Sequence, residues 1–252
     1  MIEFRDVTIG YGGSAVLSGV SFSAARDGVT VLLGPNGCGK TTLLRSAARQ
    51  LTLSSGEILL GGRPVETYGR KEYARAAAFL PQTRNIPDIR VRALVSHGRF
   101  PYLGPSRQLR QEDREIVSRA LEETGVAAWA GRNLRELSGG ERQRVYLAMA
   151  LAQDTPVIFL DEPTAYLDLR GQFEFLELVR SLGSRRKTVV MVLHDLAQAL
   201  TYSDRAVLFS GGALRYCGAP EALYDSGLLE DVFGVEAHRA EGHYYFTLGK
   251  TN

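Results

Sequence analysis

Apolar and polar positions alternate at the start of the chain: Ile2, Phe4, Val7 and Ile9 stand among charged and polar neighbours, and a similar stretch, VLSGVSFSA, begins at Val16. Short alternating runs separated by a glycine-containing turn predict strands. VTVLLG at 29–34 is different, a continuous apolar run closed by glycine, as in a strand buried on both faces. TTLLRSAARQL after it has helical spacing. EILLGGRPV and the FLPQ stretch predict further short strands, so the first third is β-rich around one strand, loop and helix.

From Thr83 to about Thr155 the period changes. RVRALVSHGRF, QEDREIVSRALEETGV and SGGERQRVYLAMALAQD all have helical periodicity, which predicts a helical insertion. Within it RFPYLGPS at 99–106 is expected to be a surface loop whose Phe100, Tyr102 and Leu103 form an exposed apolar group. Strand patterns return as PVIFLDEP, TVVMVLHD and RAVLFSGG, with the helix patterns RGQFEFLELVRSLG and LAQALTYS between them. Strands alternating with helices predict an α/β chain with a mainly parallel sheet covered on both faces.

Composition narrows the class. The 252 residues are 44% hydrophobic and 23% charged, ordinary globular values that favour a single domain. Thirty basic residues against twenty-eight acidic ones leave no strong field, which argues against a nucleic-acid partner. Cys38 and Cys217 are too few for a disulfide framework and lack metal-type spacing. The longest apolar runs, such as VVMVL at 189–193, are strand-length, so a soluble chain is expected, with any membrane role supplied by a partner.

The chemistry begins at Gly34. Residues 34–41 read GPNGCGKT, a full G-x-x-x-x-G-K-[ST] match between a buried strand and a helix start. In the loop of Gly34, Pro35, Asn36, Gly37, Cys38 and Gly39 the glycines let backbone N–H groups, which every residue but Pro35 carries, curl around phosphate oxygens, and the helix start adds partial positive charge. Lys40 would reach the β- and γ-phosphates of a nucleotide, and Thr41 would ligate Mg2+. PVIFLDEP places Asp161 and Glu162 at the end of a buried strand, the edge where ligands of parallel sheets sit. Asp161 would hold the magnesium shell, and Glu162 would act as general base toward water. An isolated acidic pair could equally be a solvated strand end, and both elements together define only a P-loop NTPase.

LSGGE at 137–141, followed by RQRVYLAMAL, resembles the signature motif of ATP-binding-cassette proteins. Ser138 suits a helix N-cap, and Gly139 and Gly140 expose backbone N–H groups, a second anion-binding helix terminus. The resemblance implies a P-loop ATPase core of 1–82 and 156–252 with an N-terminal antiparallel β subdomain, and a helical subdomain at 83–155. It also implies a head-to-tail dimer, a homodimer if both copies are this chain, in which Ser138, Gly139, Gly140 and Glu141 of one copy face the ATP of the other. By the same resemblance Tyr11 stacks on adenine, Thr42 contacts the α-phosphate, Gln82 touches magnesium and the attacking water, Asp168 reaches across the dimer, and His194 contacts the γ-phosphate and orients Glu162.

GRFPYLG at 98–104, the tyrosine of TAYLD at 164–168, LHDLAQAL at 193–200 and LLEDVFGVEA at 228–237 are similar to importers of iron-siderophore, haem and cobalamin. That similarity implies an ATPase on the cytoplasmic face of the membrane, joined to separate permease subunits and indirectly to an extracytoplasmic substrate-binding protein. The competing readings are a soluble cassette in iron-sulfur cluster assembly and a nucleic-acid-associated clamp.

Overall fold

The structure, a computed structural model, describes residues 1–12, 14–82 and 86–249. The chain forms two compact units, one of Met1–Thr67 with Val179–Asn252 and the other of Tyr68–Leu178.

The first unit opens with the antiparallel pair β1 (Ile2–Tyr11) and β2 (Ser14–Ser23). The apolar alternation skips an extra residue between Phe4 and Val7, and the register slips at the same place. There Asp6 takes a left-handed φ of 48° and its N–H donates to Ser21 Oγ at 2.8 Å. A bulge of this kind returns apolar side chains to one face after an odd step. Ile2, Phe4, Val7 and Ile9 are accordingly all in the core. β3 (Val29–Leu33) is buried at every position and leads into α1 (Lys40–Ala47). β4 (Ser55–Leu60) and the short β5 (Arg63–Pro64) complete an antiparallel sheet in the order β2-β1-β4-β5.

The second unit contains α2 (Arg70–Ala76), β6 (Ala77–Leu80), α3 (Val91–Ser96), α4 (Gln111–Glu123), α5 (Gly139–Ala152) and β7 (Val157–Asp161). The boundary with the first unit falls inside α6 (Leu169–Ser184). β6 and β7 pair in parallel, with Ala77–Leu80 beside Val157–Leu160. α3, α4 and α5 pack on one another around Val95, Val117, Leu121 and Leu147.

The segment between α3 and α4 departs from the sequence reading. His97–Tyr102 forms a 3-10 turn continuing α3, and of the three apolar residues expected at the surface only Phe100 is exposed. Tyr102 is half-buried and Leu103 is buried. The cause is Arg99, itself only 5% exposed. Its Nε donates to Asp113 Oδ1 at 2.9 Å, its Nη1 donates to the Ala152 carbonyl at the end of α5 at 2.9 Å, and its guanidinium lies 3.9 Å from the centre of the Tyr102 ring. A buried guanidinium must find such partners, and providing them draws Tyr102 inward. Asp113 Oδ2 also accepts from the Arg110 N–H at 3.0 Å. Burial pushes the Asp113 carboxyl up, but the Arg110 N–H and the Arg99 guanidinium outweigh it and hold the group below its ordinary value. Burial pushes the imidazole of His97, tilted against Phe100 at 4.4 Å, down from its ordinary value.

The chain re-enters the first unit through β8 (Thr188–Val192), α7 (Leu196–Tyr202), β9 (Arg205–Ser210) and β10 (Ala213–Gly218). β3 lies between β8 and β9 and is parallel to both, while β10 runs antiparallel along β9. α8 (Pro220–Asp225), α9 (Leu228–Phe233) and the hairpin of β11 (Val235–Ala240) and β12 (His243–Leu248) follow.

Candidate functional site

In the first unit the phosphate-loop residues form a tight turn between β3 and α1. Cys38 N–H donates to the Pro35 carbonyl at 3.3 Å, and Asn36 and Gly37 stand exposed at the crest. Gly34 has φ 147°, and a side chain there would place its Cβ 2.4 Å from the Phe209 carbonyl oxygen of β9. Only glycine fits this close approach. Gly39, at φ 99°, caps α1 without a side chain, and no acidic residue stands in the first turn to neutralise the positive helix end. Lys40 is 5% exposed, and its Nζ donates to the carbonyls of Gly34 at 2.7 Å and Pro35 at 3.0 Å. The loop is thus wrapped around its own ammonium. Thr41 and Thr42 are half-buried in the first turn of α1.

His194 is exposed two residues beyond β8. Tyr11 closes β1, and its side chain lies outside the described part of the structure.

The second unit gathers the remaining predicted residues. β7 ends on Asp161, which is fully buried, and Glu162 follows with a left-handed φ of 46°. Parallel pairing brings the end of β6 alongside, and Gln82, two residues past it, donates from Nε2 to Glu162 Oε2. Ser138 is the N-cap of α5: its Oγ accepts from Glu141 N–H at 3.3 Å, while Glu141 Oε2 accepts from Ser138 N–H at 2.7 Å. This reciprocal pair satisfies two helix-end donors and leaves the other first-turn N–H groups to face a ligand. A Cβ at Gly140 would sit 3.2 Å from Leu167 Cδ2, so the helix start and the TAYLD turn are in close contact. Asp168 is exposed and caps α6, its Oδ1 accepting from Gly171 N–H at 2.8 Å. A cavity of about 520 Å³ opens here, with Ser138, Gly139 and Gly140 on one wall and Tyr166 and Asp168 on another.

Sequence reasoning passed over two residues on α5. Buried Gln143 donates from Nε2 to the Pro163 carbonyl at 2.6 Å, tying α5 to the segment that carries Asp161 and Glu162. Arg144 pairs with Glu174 of α6, which also accepts from Arg170 at 2.7 Å. A glutamine among the apolar positions of α5 was the available signal for the first contact.

Among the described residues no group of three or more His, Cys, Asp and Glu could cage a metal ion. The Thr41 hydroxyl in the first unit, and the Gln82 amide oxygen and Asp161 carboxylate in the second, are each hard oxygen donors of the kind magnesium takes. A carboxylate buried as fully as Asp161 also requires hydrogen bonds or a cation.

The arrangement defines an α/β nucleotide-binding cassette with two glycine-opened helix starts. The ABC transporter domain family matches residues 17–165. The petrobactin import ATP-binding protein FpuD of Bacillus anthracis is 41% identical over 237 residues, covering 93% of this chain and 87% of that one. The hemin import ATP-binding protein HmuV of Streptomyces coelicolor is 42% identical over 223 residues, covering 88% and 79%. Among solved structures, the dimeric structure of the bacterial ABC transporter cassette MJ0796 superposes with a TM-score of 0.76 at 25% identity, covering 87% of this chain and 99% of that one. The chain belongs to the ABC transporter family. It is an ATP-binding and ATP-hydrolysing cassette.

Proposed function

We propose that the chain powers an importer of iron-siderophore, haem or cobalamin-type chelates, acting on separate permease subunits at the cytoplasmic face of the membrane. An extracytoplasmic binding protein delivers the cargo to that permease. The observation that carries the ATP cycle is the second helix start: α5, capped by Ser138 and opened by Gly139 and Gly140, has no phosphate loop of its own and is suited to the ATP held by a second cassette. Two copies then enclose two ATP molecules, with Glu141 maintaining the cap and Asp168 reaching across. The names of FpuD and HmuV support the cargo class and favour transport over iron-sulfur cluster assembly or clamping of nucleic acid.

Within each site Gly34 to Gly39 cradle the phosphates, Lys40 holds the β- and γ-phosphates, Thr42 the α-phosphate, and Tyr11 stacks on the base. Thr41, Gln82 and Asp161 would hold magnesium, which when bound supplies positive charge to the phosphate oxygens. Glu162 takes the proton of the attacking water, and His194 fixes the γ-phosphate and Glu162 in register. Water adds to the γ-phosphorus as its bond to the bridging oxygen of ADP breaks. The helical subdomain at 83–155 meets the permease. Within it, and bordered by Lys71, a cavity of about 380 Å³ lined by Phe100, Leu103, Gly104 and Arg107 offers the exposed Phe100 ring to a permease segment.

Glu162→Gln tests the cycle. The variant is expected to bind ATP, to lose at least about a hundredfold in turnover by the loss of a general base, and to accumulate as an ATP-bound dimer on size exclusion. Turnover at the parent rate removes Glu162 from its role.

A further inference from the structure

Glu162 holds an unfavourable backbone conformation. Its φ of 46° lies in the left-handed region, and it precedes Pro163, whose ring favours an extended residue before it. A non-glycine residue stays in such a conformation only where its surroundings hold it there. The turn that follows supplies part of the hold, with Ala165 N–H donating to the Glu162 carbonyl at 3.3 Å. Pro163 is buried and has no N–H, so its carbonyl is the one backbone hydrogen-bonding group by which it can be held. Gln143 Nε2 donates to that carbonyl at 2.6 Å.

Gln143 is only 4% exposed, and on α5 it stands close to the buried Val145, Tyr146 and Leu147. A polar side chain at this depth requires a partner, and the Pro163 carbonyl provides one. The helix that carries it is also fixed at its far end. Gln153 Nε2 donates to the carbonyls of Ala74 at 2.6 Å and Ala77 at 3.0 Å, and Ala77 opens β6. α5 is thus tied at one end to the start of β6 and near its other end to the residue after Glu162. Gln82, past the end of β6, donates to the Glu162 carboxylate. One glutamine therefore holds the carboxylate of Glu162, and a second holds the backbone beside it.

We propose that Gln143 is a positioning residue for ATP hydrolysis, which through the Pro163 carbonyl keeps Glu162 left-handed and its carboxylate aimed at the attacking water. This rests on the reading of Glu162 as general base. Without the bond, Glu162 relaxes toward the extended conformation and its carboxylate leaves the water, which slows the chemical step. ATP binding by the phosphate loop does not pass through Gln143.

Gln143→Met keeps an unbranched side chain of similar length and removes both amide donors. In MgATP the full chain carrying it is expected to lose at least about tenfold in kcat with KM within about twofold of the parent. The same substitution is then made in Glu162→Gln and followed by single-turnover hydrolysis. There it is expected to change the residual rate by less than about twofold, because with the base gone its placement no longer matters. The double variant is also expected to accumulate as an ATP-bound dimer as fully as Glu162→Gln does, which a general loss of packing would not allow. A parent kcat for Gln143→Met overturns the proposal, as does an equal loss in both backgrounds. Loss of the ATP-bound dimer overturns it too, since the effect would then lie at the start of α5. If Gln143→Met fails to bind a fluorescent ATP analogue, Gln143→Glu, whose carboxylate cannot donate, replaces it in both backgrounds. Failure of both to bind makes Gln143 a requirement of folding and overturns the positioning role. Turnover of Glu162→Gln alone at the parent rate instead removes the general-base reading, and the positioning role with it.

Discussion

Lys40 has two sets of partners available to one ammonium. In the structure its charge is met by the Gly34 and Pro35 carbonyls, inside the loop it would use to hold phosphate. Those bonds keep the loop in its wrapped form, and phosphate binding must redirect at least some of them. Lys40→Ala is therefore expected to weaken ATP binding by about ten- to a hundredfold, the worth of one or two charge-assisted hydrogen bonds, and to loosen the empty loop as well. Titration with a fluorescent ATP analogue measures the first effect, and faster amide exchange at 34–39 without nucleotide measures the second. Parent affinity would remove the phosphate contact. Residue types and spacing made Lys40 legible in the chain, because a phosphate loop is local. The bond from Gln82 to Glu162 was not legible, since it joins residues 80 positions apart that only the parallel pairing of β6 and β7 brings together.

Among the elements, the helices of the second unit depend on one buried ion pair. Arg99 ties the turn after α3 to Asp113 at the start of α4 and to the last carbonyl of α5. Asp113→Asn leaves the guanidinium buried with its charge unmatched and is expected to cost about 3 kcal/mol of stability near neutral pH, the lower end for breaking a buried pair. The pH dependence has a definite sign. Because the folded-state value of Asp113 is depressed, its contribution is complete above the unfolded value of about 3.9 and is lost as pH falls through the lower folded value. Urea midpoints of the two proteins should therefore differ at pH 7 and converge with acid below about pH 4. A difference independent of pH would place the effect in packing rather than charge. The same pair explains why helical periodicity located α4 and α5 but misread 99–106. Counting apolar residues cannot reveal that a buried arginine will hold a tyrosine inward and leave one phenylalanine outside. The break in β1 was legible as a skipped step between Phe4 and Val7, yet its meaning as a bulge required the register.

At the scale of the molecule the remaining question is attachment. Among the described residues no helix is long and apolar enough to cross a membrane. In the proposed assembly the chain is held at the membrane by protein contacts, and Phe100 is their most exposed aromatic side chain on the helical segment, beside the cationic Lys71 and Arg107. A ring presented in this way can enter a permease pocket while the two cations meet acidic groups or helix-end carbonyls around it. Phe100→Asp reverses the chemistry at that point without touching Arg99 or Asp113, so the helices should keep their packing. Expressed with its permease, the parent chain should sediment with membranes and resist high salt, as an apolar anchor does. The variant should shift to the supernatant by at least about tenfold, the loss expected when one central aromatic anchor is removed. Binding of a fluorescent ATP analogue by the released chain gives the control for folding. Retention of the variant on the membrane would take Phe100 out of the interface and leave Lys71 and Arg107 as its next candidates.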